Sequence, residues 1–481
     1  MKKSLLSWFK HKNNLPNLLV IIFLASISYL LYFNLGRDAL FDWDEGIYGE
    51  LGAQVLVTKN ILVAFWNGAP WLEKPPGIAW VAGIGIALAG PTAGGARLLM
   101  PLIAIYTLYI VYRIGTHLGS SRHGLIAVGV LATFNLFLGR TRAVNTDMPL
   151  LASIVTTILF LLENRPAWWV ALAVFGGVWF KGLAGLLSVI ITLPLILNKS
   201  KTYILHLTSY VLLLILPWHL YALIRYGSNF TTPYFFEQVV RRATAQIEFH
   251  FENRWYYFKY LYDNLGLGVL IVAGVGAASI LKKRENLYLL WWVLVPLAIF
   301  TLAKTRLFWY ILPIYPALAL LVSEAIARWQ NGKHAKSVVG IIAIGICSQA
   351  ILMASRSVEF KKVTSPLPDR LYVATELAKL NPGTLAVLVP PSERLAEALL
   401  PTIARLSSSF RYGGMPSVVF YYAGPVQFYY DVDKFAAFWQ EAQNPTAMIF
   451  AEDSKLIPAS FRTVVASPTY LGIQKGVYAL R

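Results

Sequence analysis

The chain has 481 residues, of which 57% are hydrophobic and 14% charged, with a mean hydropathy of +0.56. Soluble domains carry roughly 25% charged residues, so this composition excludes a water-soluble globular protein and a disordered one. One cysteine excludes a disulfide framework. The net charge of +18 lies in short loops between apolar runs, the place membrane proteins reserve for Lys and Arg, and no nucleic-acid partner is expected.

The first apolar run, 15–33, follows Lys2, Lys3, Lys10 and Lys12 and reads as an uncleaved span with a cytoplasmic N-terminus. A polar loop over 34–76 follows, holding Asp38, Asp42, Asp44, Glu45, Glu50 and Glu73. The run 78–90 is short and glycine-rich, so a helix on or dipping into the outer surface is expected there. Further runs at 96–116, 124–138, 148–163, 167–180, 183–197, 203–222, 262–281, 287–302, 309–324 and 337–354 bring the total to about eleven spans. With that parity the loops at 113–123, 164–165, 198–201, 282–284 and 328–336 fall inside, and almost all carry Lys or Arg. The segments 34–77, 139–147, 223–260, 303–308 and everything after about 355 fall outside. The division expected is therefore a membrane domain over 1–355 and a small α/β domain over 356–481 on the outer side. Within the latter, helices are expected at 369–380, 392–406 and 431–442, and strands at 384–389, 417–422, 447–450 and 463–466.

Five outer segments concentrate polar chemistry. Phe41-Asp42-Trp43-Asp44-Glu45 sets three acids beside apolar sequence, which is costly unless a cation, metal or substrate meets them; a solvated acidic loop is the plainer alternative. Glu73-Lys74-Pro75-Pro76 is a rigid, nearly extended turn whose lysine either holds a phosphate or closes a loop ion pair. Asp147 stands before Pro149, where it either caps a helix or joins Arg140 and Arg142 in an ion-pair network or anion site. The segment from Arg241-Arg242 through His250 to Arg254-Trp255-Tyr256-Tyr257, and Lys304-Thr305-Arg306 leading to Trp309-Tyr310, offer cations to an anionic head group. Trp255, Tyr256 and Trp309 also suit an aromatic belt. Asp-x-Asp triplets occur at 42–44 and 431–433; the second lies in a domain too small for a nucleotide-sugar transferase. Walker A, Gly-x-Ser-x-Gly and His-Glu-x-x-His sequences are absent, so ATP-driven transport, serine hydrolysis and zincin chemistry are unsupported.

Taken in order, Asp44-Glu45, Glu73-Lys74-Pro75-Pro76, Asp147, Lys181-Gly182, His250 with Trp255 to Tyr257, and Lys304 to Pro313 resemble the lipid-linked-sugar glycosyltransferases of the GT-C superfamily. The likeness is to the family that holds protein O-mannosyltransferases and the lipid A aminoarabinose transferase. It implies a polytopic α-helical GT-C membrane protein of the plasma (inner) membrane, with juxtamembrane helices and an outer α/β domain. The implied function is transfer of a sugar, with inversion, from a polyprenyl-phosphate donor to a lipid, glycan or protein acceptor on the outer face. Asp44 is then the base, with Glu45 and Asp147 sharing catalysis; Lys74, Arg254, Lys304 and Tyr310 hold the donor phosphate. Asp42, outside the matched pair, is expected to matter far less than Asp44. Glu73 and His250 match positions that can hold a divalent metal, and no other cofactor is implied. The rival reading is a lipid-linked-sugar flippase, but repeats and midplane charges are not evident in the sequence. A polysaccharide ligase or polymerase of similar topology differs in its acceptor.

Overall fold

The computed structural model describes residues 15–245, 252–282, 284–329, 367–380, 383–399, 412–456 and 461–475. Within them the apolar runs are helical, as a lipid environment requires, since a helix satisfies its own backbone groups. The helices include Leu15–Tyr32, Met100–Leu118, Asp147–Leu162, Ala167–Lys181, Leu187–Leu197, Lys201–Tyr226, Tyr256–Ile280, Tyr288–Leu302 and Tyr315–Trp329. Among the described residues, five stretches of 20 to 31 residues are long and apolar enough to cross a membrane, and four apolar helices are shorter. The chain is a multi-pass membrane protein.

Three of the apolar runs read from the sequence need comment. The run at 124–138 is not one helix: Ser121–Leu131 and Asn135–Thr141 meet at 78°. Gly77–Ala89 has 13 residues, about 20 Å at 1.5 Å per residue, too short for a hydrocarbon core of about 30 Å. The run at 337–354 lies outside the described residues.

The longest stretch, 167–197, breaks at Gly182, whose φ of +61° carries the chain into a short 3-10 turn. Gly185 returns so close to Gly177 and Val178 that an added Cβ would stand 2.1 Å from the Val178 nitrogen. Ala167–Lys181 and Leu187–Leu197 are therefore distinct helices within this one apolar stretch.

The chain forms two compact units: 1–35, 73–77 and 98–361 make one, and 36–72, 78–97 and 362–481 the other. The expected boundary near 355 thus omits a feature. Most of the first polar loop folds with the C-terminal segment, because its backbone and carboxylates find their hydrogen-bond partners there.

In the helical unit, polar groups gather in two sets. Arg113, His117 and Arg165 converge on Glu163 at 2.6, 3.7 and 2.8 Å, and Lys199 donates to the Leu161 carbonyl at 2.8 Å. These residues belong to loops the charge pattern assigns to one face. Arg140, Asp147, Lys181, Arg242 and Tyr310, from segments assigned to the opposite face, form the second set.

The other unit carries a five-stranded mixed sheet in the order Val426–Tyr429, Leu385–Leu388, Thr446–Phe450, Tyr470–Lys475, Phe461–Ala466. The first three strands run parallel, and the last two pair antiparallel. Phe435 and Trp439 of the helix Val432–Glu441 pack on Ala386, Leu388, Ala447, Ile449 and Ile473. Asp431 caps that helix by accepting from the Asp433 and Lys434 amides at 2.8 and 3.2 Å, which accounts for the second Asp-x-Asp triplet.

One expected strand is a helix. Ser417–Tyr422 is α-helical, entered from Pro416 and closed by Ala423 in the left-handed region at φ +57°. Its β-rich composition predicts alternation, yet five of its six residues are buried, against the helices Asp44–Thr58 and Asp369–Leu380. Packing all round overrides propensity here.

Candidate active site

The candidate residues fall in both units. In the sheet-bearing unit, Asp44 is the first residue of the helix Asp44–Thr58 and is half-buried. The helix N-terminus sets backbone N–H groups and a partial positive charge beside this side chain. Two clasps fix the loop before it. Glu45 is buried and accepts a bidentate grip from Arg97, Nε to Oε1 at 2.8 Å and Nη2 to Oε2 at 2.5 Å. Arg97 also donates to the Asp38 and Ala39 carbonyls at 2.7 and 2.9 Å, and the Phe41 amide donates to Glu45 Oε2 at 3.1 Å. A carboxylate with both oxygens so engaged holds the loop that leads to Asp44.

Asp42 makes the second clasp. Its Oδ1 accepts from the Ser417 amide at 3.1 Å and from the Ser417 hydroxyl, and its Oδ2 accepts from Arg370. Gly46 permits this approach: a Cβ there would lie 2.7 Å from the Ser417 backbone. The Leu40 amide donates to the Tyr421 hydroxyl at 2.9 Å. Asp42, expected from sequence to matter far less than Asp44, thus ties this loop to Ser417 and Arg370. Between the clasps Trp43 adopts φ +69°, ψ −118°, which is rare for a bulky residue and costs about 1–3 kcal/mol.

Further along that helix, Glu50 is buried, with the Gln54 amide donating to its Oε1 at 2.8 Å. Burial pushes its carboxyl up to about 7, against the opposing pull of that hydrogen bond. The folded chain therefore binds a proton that the unfolded chain releases between the ordinary glutamate range and pH 7. Stability is fully present below that window and falls as pH rises through it. Glu50→Gln should flatten this slope and raise stability at pH 8 by on the order of 3 kcal/mol, as read by thermal unfolding against pH. An unchanged slope in the variant would assign it to another group.

In the helical unit, Asp147 is buried at the start of its helix. It does not cap that helix: the Asn145 side chain does so, accepting from the Asp147 and Met148 amides at 3.0 and 2.9 Å. Asp147 instead pairs with Arg140 at 2.7 Å and with Lys181. The Lys181 ammonium also lies 5.4 Å from the centre of the Tyr310 ring, and the Arg140 guanidinium 5.0 Å from that of Trp309. Trp309 thus has a partner inside the site as well as the composition of a belt residue. Tyr310 accepts from Arg242 at 2.9 Å. Arg142 takes another task, donating to the Leu30, Phe33 and Asn34 carbonyls at 2.9, 2.8 and 3.2 Å and so closing the end of the first helix.

Arg254 and Lys304 line a cavity of about 400 Å³ with Thr301, Leu302 and Arg306. Arg306 is buried and donates to the Glu252 and Thr301 carbonyls at 2.6 and 2.9 Å. Among the described residues that line this space there are three cations and no acid, which suits an anion. Lys74 is half-buried, and its neighbour Glu73 accepts from Gln238 at 2.9 Å. His250 lies outside the described residues. Among the described residues no three His, Cys, Asp or Glu side chains gather as metal ligands.

Sequence reasoning missed Arg97, Gln238, Arg370 and Ser417. Arg97 carried a signal, as a lone cation opening an apolar run. The other three had none, because their partners lie 165, 328 and 375 residues away.

Comparison with known proteins agrees with this layout. Residues 73–221 match the family model described as dolichyl-phosphate-mannose-protein mannosyltransferase. The chain is 25% identical over 390 residues to the undecaprenyl phosphate-alpha-4-amino-4-deoxy-L-arabinose arabinosyl transferase 1 of Pseudomonas fluorescens (strain Pf0-1), covering 74% of this chain and 68% of that protein. The crystal structure of ArnT from Cupriavidus metallidurans bound to undecaprenyl phosphate superposes with a TM-score of 0.70 at 16% identity, covering 94% of this chain and 97% of that one. The archaeal oligosaccharyltransferase AglB from Archaeoglobus fulgidus, in complex with an inhibitory peptide and a dolichol-phosphate, gives 0.56 at 13% identity, covering 93% and 70%. In sequence pattern and in fold together, the chain is similar to lipid-linked-sugar glycosyltransferases of the GT-C type, the aminoarabinose transferases among them.

Proposed function

We propose that the chain is a glycosyltransferase of the inner membrane that moves a sugar from a polyprenyl phosphate to a lipid, glycan or protein acceptor on the outer face, with inversion. The observation that carries this reading is the cavity faced by Arg254, Lys304 and Arg306, with no acid among the described residues that line it. Such a cavity stabilises a departing phosphate better than water does. In the reaction an acceptor hydroxyl oxygen attacks the anomeric carbon and its proton passes to Asp44. The bond from that carbon to the phosphate oxygen breaks, and the polyprenyl phosphate leaves with the electron pair. Lys74, Arg254 and Lys304 meet the growing charge, and Tyr310 adds a hydroxyl oriented by Arg242. Asp147 acts through Lys181 and Arg140 rather than on the acceptor directly.

The test is incubation with radiolabelled polyprenyl-phosphate sugars and candidate acceptors, following which label leaves the lipid. Lys74→Ala should raise the donor KM by about tenfold or more, and Lys74→Arg by less, because charge is kept while the compact ammonium is lost. A normal donor dependence in Lys74→Ala would assign this lysine to a loop ion pair.

A further inference from the structure

Trp43 combines three properties that rarely meet in one residue. Its backbone is held at φ +69°, where side chains other than glycine are disfavoured. Its indole is 43% exposed, so burial does not compensate that backbone. It also directly precedes Asp44. The surroundings over-determine the conformation, with the Glu45–Arg97 grip on one side and the Asp42–Ser417 clasp on the other. The ring is braced as well. Tyr412 meets it edge-on at 6.2 Å, and the Tyr412 hydroxyl in turn accepts from the Trp71 indole at 2.8 Å. Strain that persists under such constraint is characteristic of a ligand-binding position. An aromatic that only anchors a chain in the membrane interface needs depth and apolar area, which an ordinary backbone supplies equally well.

We infer that Trp43 is a ring-stacking residue, whose indole face receives a sugar ring beside Asp44. This rests on the reading of Asp44 as the base. A flat aromatic face suits the apolar C–H face of a pyranose or furanose, and the ring it takes belongs either to the donor's sugar or to a glycosylated acceptor. Steady-state kinetics with each substrate varied in turn separate the two sources.

Trp43→Leu keeps apolar area and loses the flat face; it should raise one KM by about five- to tenfold and leave the other alone. Trp43→Phe should stay within about twofold of the wild type. Trp43→Gly removes ring and backbone strain together, so it should unfold at a temperature no lower than the wild type while showing the same KM defect. Normal KM values for both substrates in a stable Trp43→Gly protein overturn the inference, as does a fall in kcat alone. A wild-type protein that releases no label from any polyprenyl-phosphate sugar overturns the proposed function instead.

Discussion

Asp44→Asn should lower turnover by about 10²–10⁴-fold, the usual worth of a general base, while the protein folds and binds donor as before. The substitution keeps the shape of a half-buried side chain at the first position of its helix and removes only its capacity to take a proton. Folding is protected because the loop is held by other residues, through Glu45 on Arg97 and Asp42 on Ser417. Asp42→Asn is consequently no neutral control: it weakens the clasp with Arg370 and Ser417. Glu376→Gln serves better, since Glu376 pairs along its own helix with Lys379, at 2.6 Å. With a phosphate acceptor, already ionised at neutral pH, the loss should shrink, because no proton need be removed. Turnover of Asp44→Asn equal to the wild type with a hydroxyl acceptor would remove Asp44 from the role of base.

The second large effect is on stability. Asp147→Asn should destabilise the folded chain by about 3–5 kcal/mol, because it leaves Lys181 and Arg140 facing each other with their shared counter-ion gone. Breaking such a pair costs more than the pair itself contributes, since the penalty is an uncompensated buried charge. The double variant Asp147→Asn with Lys181→Gln should therefore recover part of the loss, having one such charge fewer. Thermal unfolding of detergent-solubilised protein reads both. Wild-type stability in the single variant would mean that the three groups are fully hydrated.

The helices were legible in the sequence because lipid imposes one rule on the backbone, and long apolar runs announce its application. The order of polar motifs was legible too, since Asp44, Asp147, Lys181 and Tyr310 sit at the ends of such runs. What the sequence hid is of another kind. Ser417–Tyr422 has strand composition and becomes a helix because neighbours cover it on every side. Glu45 read as catalytic company for Asp44 and Asp42 as a lesser neighbour, yet each is held by residues distant in the chain. Local pattern reports what a segment prefers alone; it does not report which cation will reach which acid.

The clasp between Asp42 and Ser417 spans 375 residues, and that separation has a temporal meaning. Synthesis proceeds from the N-terminus at about 5–20 residues per second. Ser417 therefore emerges roughly 20 to 75 seconds after Asp42 at that pace. During this interval the loop that presents Asp44 has one of its two grips, Arg97, and lacks the other. Biogenesis thus leaves the candidate base on an unfinished loop until Ser417 has been made and can return to Asp42.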